Sequence, residues 1–154
     1  MIILLTQSDV VWRLAIAAVL GAVLGLDRSL TGKHAGMRTF ALVAMGSCLF
    51  VIVGTLSAVD LSRYFASVNP VQIASNVVVA IGFLGIGLTV FRGDHPVELT
   101  TAAGLWVAAG IGMATGFGFW EAAAVATVLG VLVFSFLAKV ERALSARLGI
   151  KHEE

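Results

Sequence analysis

Charge is what this sequence has least of. Ten basic and nine acidic side chains make up 12% of its 154 residues, and the mean hydropathy is +1.01. Soluble domains average about 25% charged and about 45–50% apolar residues; here the apolar share is 59%. So few charges could not give a globule of this size a wettable surface, which excludes a soluble domain. Cysteine is nearly absent, and Cys48 alone excludes a secreted disulfide scaffold. The excess of aliphatic residues excludes disorder. A net charge of +1 without a long basic run argues against nucleic acid as a partner. No Lys or Arg precedes Arg13, so the apolar start lacks the positive region of a signal peptide. It reads as a lead into an uncleaved first helix.

What is there is long apolar segments. Residues 39–59, 64–91, 99–120 and 122–138 contain no Asp, Glu, Lys or Arg. A helix needs about 20 apolar residues to cross roughly 30 Å of hydrocarbon. Three of these stretches reach that length, and the last suits a thin bilayer. A fifth, 10–26, qualifies if Arg13 sits at the interface and snorkels. At the helix centre an arginine would cost about 2.5–3.5 kcal/mol. Taken as one helix, residues 99–138 would measure roughly 60 Å at about 1.5 Å per residue, twice the hydrocarbon thickness. The run Gly116-Phe117-Gly118-Phe119-Trp120-Glu121 therefore reads as the turn of a hairpin. The expectation is an all-α membrane protein of five transmembrane helices, near 10–26, 39–59, 71–91, 99–117 and 121–138. They form one domain over 1–138, followed by a short basic and polar tail over 139–154.

The positive charges orient it. Arg28, Lys33, Arg38, Arg92, Lys139, Arg142, Arg147 and Lys151 fall on one side of a five-helix protein, and Arg13 and Arg63 on the other. The positive-inside rule then puts the N-terminus outside and the C-terminus in the cytoplasm. Trp12, Tyr64 and Trp120 all reach the outer interface in this arrangement, as an aromatic belt would.

Most of the seventeen glycines lie inside the apolar segments. Small residues let membrane helices approach closely, because lipid supplies no hydrophobic drive for association. Gly21 and Gly25 form a GxxxG on the first helix, Gly82, Gly85 and Gly87 crowd the third, and Gly104, Gly110, Gly112 and Gly116 line the fourth. They serve packing within the subunit, a dimer interface or a pore lining. A homo-oligomer, most simply a two-fold dimer through the first helix, is expected on these grounds. Gln72, Ser75 and Asn76 are the one amide-rich cluster, and Gln72 and Asn76 share a helix face. Interhelical hydrogen bonding or a permeation path would each use them.

Several motifs fail on inspection. Gly82-Phe83-Leu84-Gly85-Ile86-Gly87 lies within an apolar helix, not after a strand as a dinucleotide fingerprint requires. Gly32-Lys33 resembles part of a phosphate loop, but Asp27 and His34 occupy positions that need Gly and Ser or Thr. No paired cysteines or HExxH could hold zinc, and His34, His95 and His152 are scattered over loops. Cys48 reads as a small buried hydrophobe. No nucleophile and base come together, so an enzyme is not expected.

A polar cluster remains at the helix ends. Asp27 and Arg28 close the first helix, and Lys33, Arg38 and Thr39 lead into the second. Arg92 closes the third, while Glu98, Thr100 and Thr101 open the fourth. All converge on the side expected to be cytoplasmic. Paired as Asp27 with Arg38 and Glu98 with Arg92, they would simply fix helix register. As a pocket, Asp27 and Glu98 would offer hard oxygen ligands to Mg²⁺ through retained waters. The nearby arginines weigh against a bare divalent cation and leave room for an anionic ligand or partner.

These residues carry a family likeness. Gly25-Leu26-Asp27-Arg28, Lys33-His34-Ala35-Gly36-Met37-Arg38-Thr39, Ile81-Gly82-Phe83-Leu84-Gly85, Leu99-Thr100-Thr101-Ala102 and Leu105-Trp106 resemble the MgtC/SapB family of bacterial inner-membrane proteins, in order and in spacing. The resemblance implies five helices, a link to magnesium limitation and, in pathogens, survival inside host cells. It implies action by binding other membrane proteins, ATP synthase among them, rather than by catalysis. A small oligomeric ion transporter or channel is the alternative. The apolar stretches contain no ionisable residue to relay a cation, which favours the regulatory reading. Asp27 stands where the family usually has Glu, Glu98 where Gly is usual, and Gly104 where a hydroxyl residue is common. Longer members carry a soluble domain after the last helix. Only sixteen residues follow here, so a short form without that domain is expected.

Overall fold

The computed structural model describes residues 6–61, 69–90 and 99–148. They form six α-helices: α1 (Gln7–Leu30), α2 (Met37–Leu61), α3 (Pro70–Val90), α4 (Leu99–Phe117), α5 (Trp120–Leu132) and α6 (Ala138–Leu148). A π-helical turn, Val133–Leu137, fuses α5 and α6 into one rod. Among the described residues there is no strand. Five helical stretches among the described residues are long and apolar enough to cross a membrane: Gln7–Leu30, Met37–Val59, Val71–Leu88, Leu99–Phe117 and Trp120–Arg147.

Local chemistry sets the helix ends. Thr6 caps α1 by accepting from the Asp9 N–H, and the Asp9 carboxylate accepts from the Thr6 N–H at 2.9 Å, a reciprocal capping box. This pair starts α1 earlier than the apolar pattern does. At the other end Lys33 N–H donates to the Arg28 carbonyl at 2.9 Å and Gly32 N–H to that of Ser29 at 3.3 Å. Gly32 has φ +70°, so Gly32-Lys33 is a helix stop of the Schellman type. The same device ends α4, with Gly118 at φ +86° and Phe119 N–H donating to the Ala114 carbonyl at 2.8 Å. Asn69 opens α3 by accepting from the Val71 N–H, with Pro70 at the first helical position. The last helix continues past Lys139 to Leu148, so much of the expected tail is helical.

Helix α2 is gripped from two sides at Ala44. A Cβ on Gly21 of α1 would lie 2.5 Å from the Phe40 carbonyl oxygen and 2.8 Å from the Ala44 Cβ. A Cβ on Gly112 of α4 would overlap the Ala44 carbonyl from the other side. Gly25 meets Phe40 and Gly36, and Gly116 meets Cys48 and Val51. Backbone-to-backbone approach of this kind is what glycine makes possible in a bilayer. Leu24, Phe40, Leu105, Ala108 and Ile111 fill the centre, sealed from the surface. The outer surface is apolar too: Val125, Val128 and Leu129 are widely exposed, as a lipid-facing surface requires.

Candidate functional site

The last turn of α1 carries a buried charge. Arg28 is only 7% exposed, and its Nη2 donates to Asp27 Oδ2 at 2.6 Å. Asp27 Oδ1 accepts a hydrogen bond from Ser135 Oγ at 3.3 Å, across from the π-helical turn. The Arg28 guanidinium carbon sits 4.4 Å from the centroid of the Phe134 ring, inside the range of a cation–π contact. Phe134 in turn meets Phe40 edge to face, with centroids 6.1 Å apart and planes at 75°. Gly104 of α4 makes room for both rings, since a Cβ there would collide with Phe134 Cζ. Arg28 thus shares its charge between a carboxylate and an aromatic face. Its buried Nε has no hydrogen-bond partner among the described residues.

The π-helical turn explains how α1 meets the last helix. A π turn adds a residue to the local repeat, and such turns cluster at functional sites. Here it presents buried Phe134 and half-buried Ser135, consecutive in sequence, to the same Asp27–Arg28 pair. Neither residue stands out in the sequence. The one available signal is a hydroxyl within an otherwise apolar run.

The structure gathers a different set from the one expected. Asp27 pairs with Arg28, not with Arg38, which is exposed. Lys33 is half-buried in the turn after α1, where its backbone closes the helix, and Thr39 is half-buried at one end of a groove between α2 and α3. Thr100 is exposed, whereas Thr101, its neighbour, is sealed at 1% exposure. The adjacent threonines therefore point to different surroundings. Arg92 and Glu98 lie outside the described residues. Among the described residues no three His, Cys, Asp or Glu side chains come together as a metal site.

The third helix also departs from expectation. Gly82 and Gly87 do not press α3 against a neighbour: a Cβ at either would meet nothing within 4 Å among the described residues. Both lie off the buried stripe of Ala74, Val77 and Ile81. Gly85 makes ordinary contact, its added Cβ lying 3.5 Å from Ala102 Cβ.

Arg13 organises the opposite end of the bundle. It does more than snorkel: Nη1 donates to the Gly116 carbonyl at 2.6 Å, one of the carbonyls left free at the end of α4. Its guanidinium carbon also lies 5.5 Å from the Trp120 ring centroid. A cation at a helix C-terminus is favoured by the helix dipole. Trp12 and Trp120 are both exposed at this end.

The sequence has relatives among known proteins. Residues 14–143 match the model of the MgtC family. The chain belongs to the MgtC family. It is 40% identical over 127 residues to YhiD of Escherichia coli K12, provisionally named a magnesium transporter, covering 82% of this chain and 59% of YhiD. It is 38% identical over 153 residues to SrpB of Synechococcus elongatus, covering 92% of this chain and 83% of that protein. It is 32% identical over 138 residues to SapB of Bacillus subtilis, covering 88% of this chain and 60% of SapB. The match therefore spans about three fifths of YhiD and of SapB. No solved structure matches this chain. Membership of the family and the five apolar helices together make this a multi-pass membrane protein of the MgtC/SapB kind.

Proposed function

We propose that this protein is a non-enzymatic regulatory or interaction protein of the bacterial inner membrane, tied to magnesium homeostasis. The observation that supports this reading is the engagement of Asp27. Its two carboxylate oxygens are already taken, one by Arg28 and the other by Ser135. A carboxylate so committed joins α1 to the last helix, and the Arg28 charge beside it disfavours a hydrated cation there. Breaking a buried ion pair by removing one partner costs about 3–5 kcal/mol, so the pair suits a fixed, register-setting junction. With the N-terminus outside, as the basic residues direct, the junction faces the cytoplasm. There a partner could read its state. The ATP synthase implied by the family resemblance is the first such partner to test.

The name of YhiD favours a second reading, transport of magnesium. In that case Asp27 must leave Arg28 and, with Glu98, face a Mg²⁺ that keeps several of its waters. Growth of a deletion strain under magnesium limitation, complemented by Asp27→Asn, tests whether the charge functions at all. The substitution keeps the shape and removes the charge. Loss of growth support with normal membrane insertion is the expected result. Full support by the variant would leave Asp27 without a functional role.

A further inference from the structure

The outward face of α3 carries an amide with no partner among the described residues. Gln72, Asn76, Val79, Phe83 and Ile86 follow one another at intervals of four and three residues, which places them on one stripe of the helix. All five are exposed, Val79 and Phe83 at 75% and 77%, and the stripe lies opposite the buried Ala74, Val77 and Ile81. Asn76 sits six residues into the helix, about 9 Å along its axis from Pro70. It lies within the apolar span Val71–Leu88. Its amide has two donors and two acceptor lone pairs, and lipid tails satisfy none of them.

We infer that this face of α3 is a homodimer interface in which the Asn76 amides of two copies pair across a two-fold axis. An amide is its own complement, donor to acceptor, so a second copy related by two-fold symmetry satisfies both groups at once. Alternating four- and three-residue spacing is the seam pattern of helices crossing at a shallow angle. Beside the stripe runs an apolar groove of about 530 Å³ between α2 and α3, lined by Leu42, Gly46, Ala80, Leu84 and Phe83 itself, which a second copy would cover. The glycine face of α1, the surface the sequence offers for a dimer, is not available, because Gly21 and Gly25 are filled by α2 of the same subunit.

The test uses the full chain in lipid bilayers. Single-molecule photobleaching of labelled protein across a dilution series gives the monomer–dimer equilibrium. Asn76→Leu should raise its dissociation constant about tenfold, the change supported by loss of one interhelical hydrogen-bonded pair. In a Cys48→Ala background, Val79→Cys should form a disulfide between copies on mild oxidation, while Val78→Cys, off the stripe, should not. Monomer at every dilution would overturn the inference. So would a dimer unaffected by Asn76→Leu and lacking the Val79→Cys cross-link, or a different protein occupying this face.

Discussion

The Arg28 guanidinium lies 4.4 Å from the centre of the Phe134 ring, closing α1 onto the π-helical turn of the last helix. A desolvated cation–π pair is worth about 1–2 kcal/mol. In a double-mutant cycle of Arg28→Met and Phe134→Leu, thermal unfolding in mild detergent should return a coupling energy of about 1 kcal/mol or more. Strict additivity of the two single changes would mean that the contact contributes nothing.

Glycines along the bundle should differ sharply in their tolerance of alanine. At Gly112 the new Cβ would overlap the backbone of Ala44, which cannot swing aside as a side chain can. Overpacking of this kind costs about 1–3 kcal/mol. At Gly82 the Cβ would meet open space, and stability should hold or rise by up to about 1 kcal/mol from helix propensity. Midpoints of thermal unfolding for Gly112→Ala and Gly82→Ala should therefore move apart. Equal shifts would mean that the α2–α4 approach is looser than described.

Arg13 should hold the α4–α5 turn closed. Arg13→Gln removes a charged donor to the Gly116 carbonyl, worth about 1.5–3 kcal/mol, and the cation over Trp120. Amide hydrogen exchange at Gly118 and Phe119 should accelerate while exchange in the centre of α2 stays slow. Arg13→Lys should rescue only in part, because an ammonium lacks the planar fork. Unchanged exchange in both variants would reduce Arg13 to a snorkelling interfacial charge.

Orientation can be read by labelling. Cysteines placed singly at positions 33 and 63, with Cys48 replaced, should behave oppositely towards an impermeant reagent in intact cells. Position 63 should label and position 33 should be protected, as the partition of basic residues requires. The reverse pattern would invert the topology.

The five spans are legible in the sequence because the bilayer fixes a length, and charge-free stretches report it directly. The close approach of α1 and α4 to α2 is half legible. Glycine marks where backbones could meet, but not which face has a neighbour: Gly21, Gly25, Gly112 and Gly116 are filled, while Gly82 and Gly87 look onto open space among the described residues. Asp27 and Arg28 stand out as charges at a helix end. Their partners do not, since Ser135 lies 108 residues further on and is brought near by a π turn that leaves no compositional trace. Gly104 is the instructive case. Its difference from the family pattern looks like a lost hydroxyl, and the structure shows the space taken by the rings of Phe134 and Phe40.

Magnesium entry into proteoliposomes, followed by an internal fluorescent indicator, tests the regulatory reading most directly. With Asp27 held by Arg28 and Ser135, vesicles containing the wild-type protein should take up magnesium no faster than protein-free vesicles. Saturable, protein-dependent uptake that disappears with Asp27→Asn would contradict the account and establish a transporter.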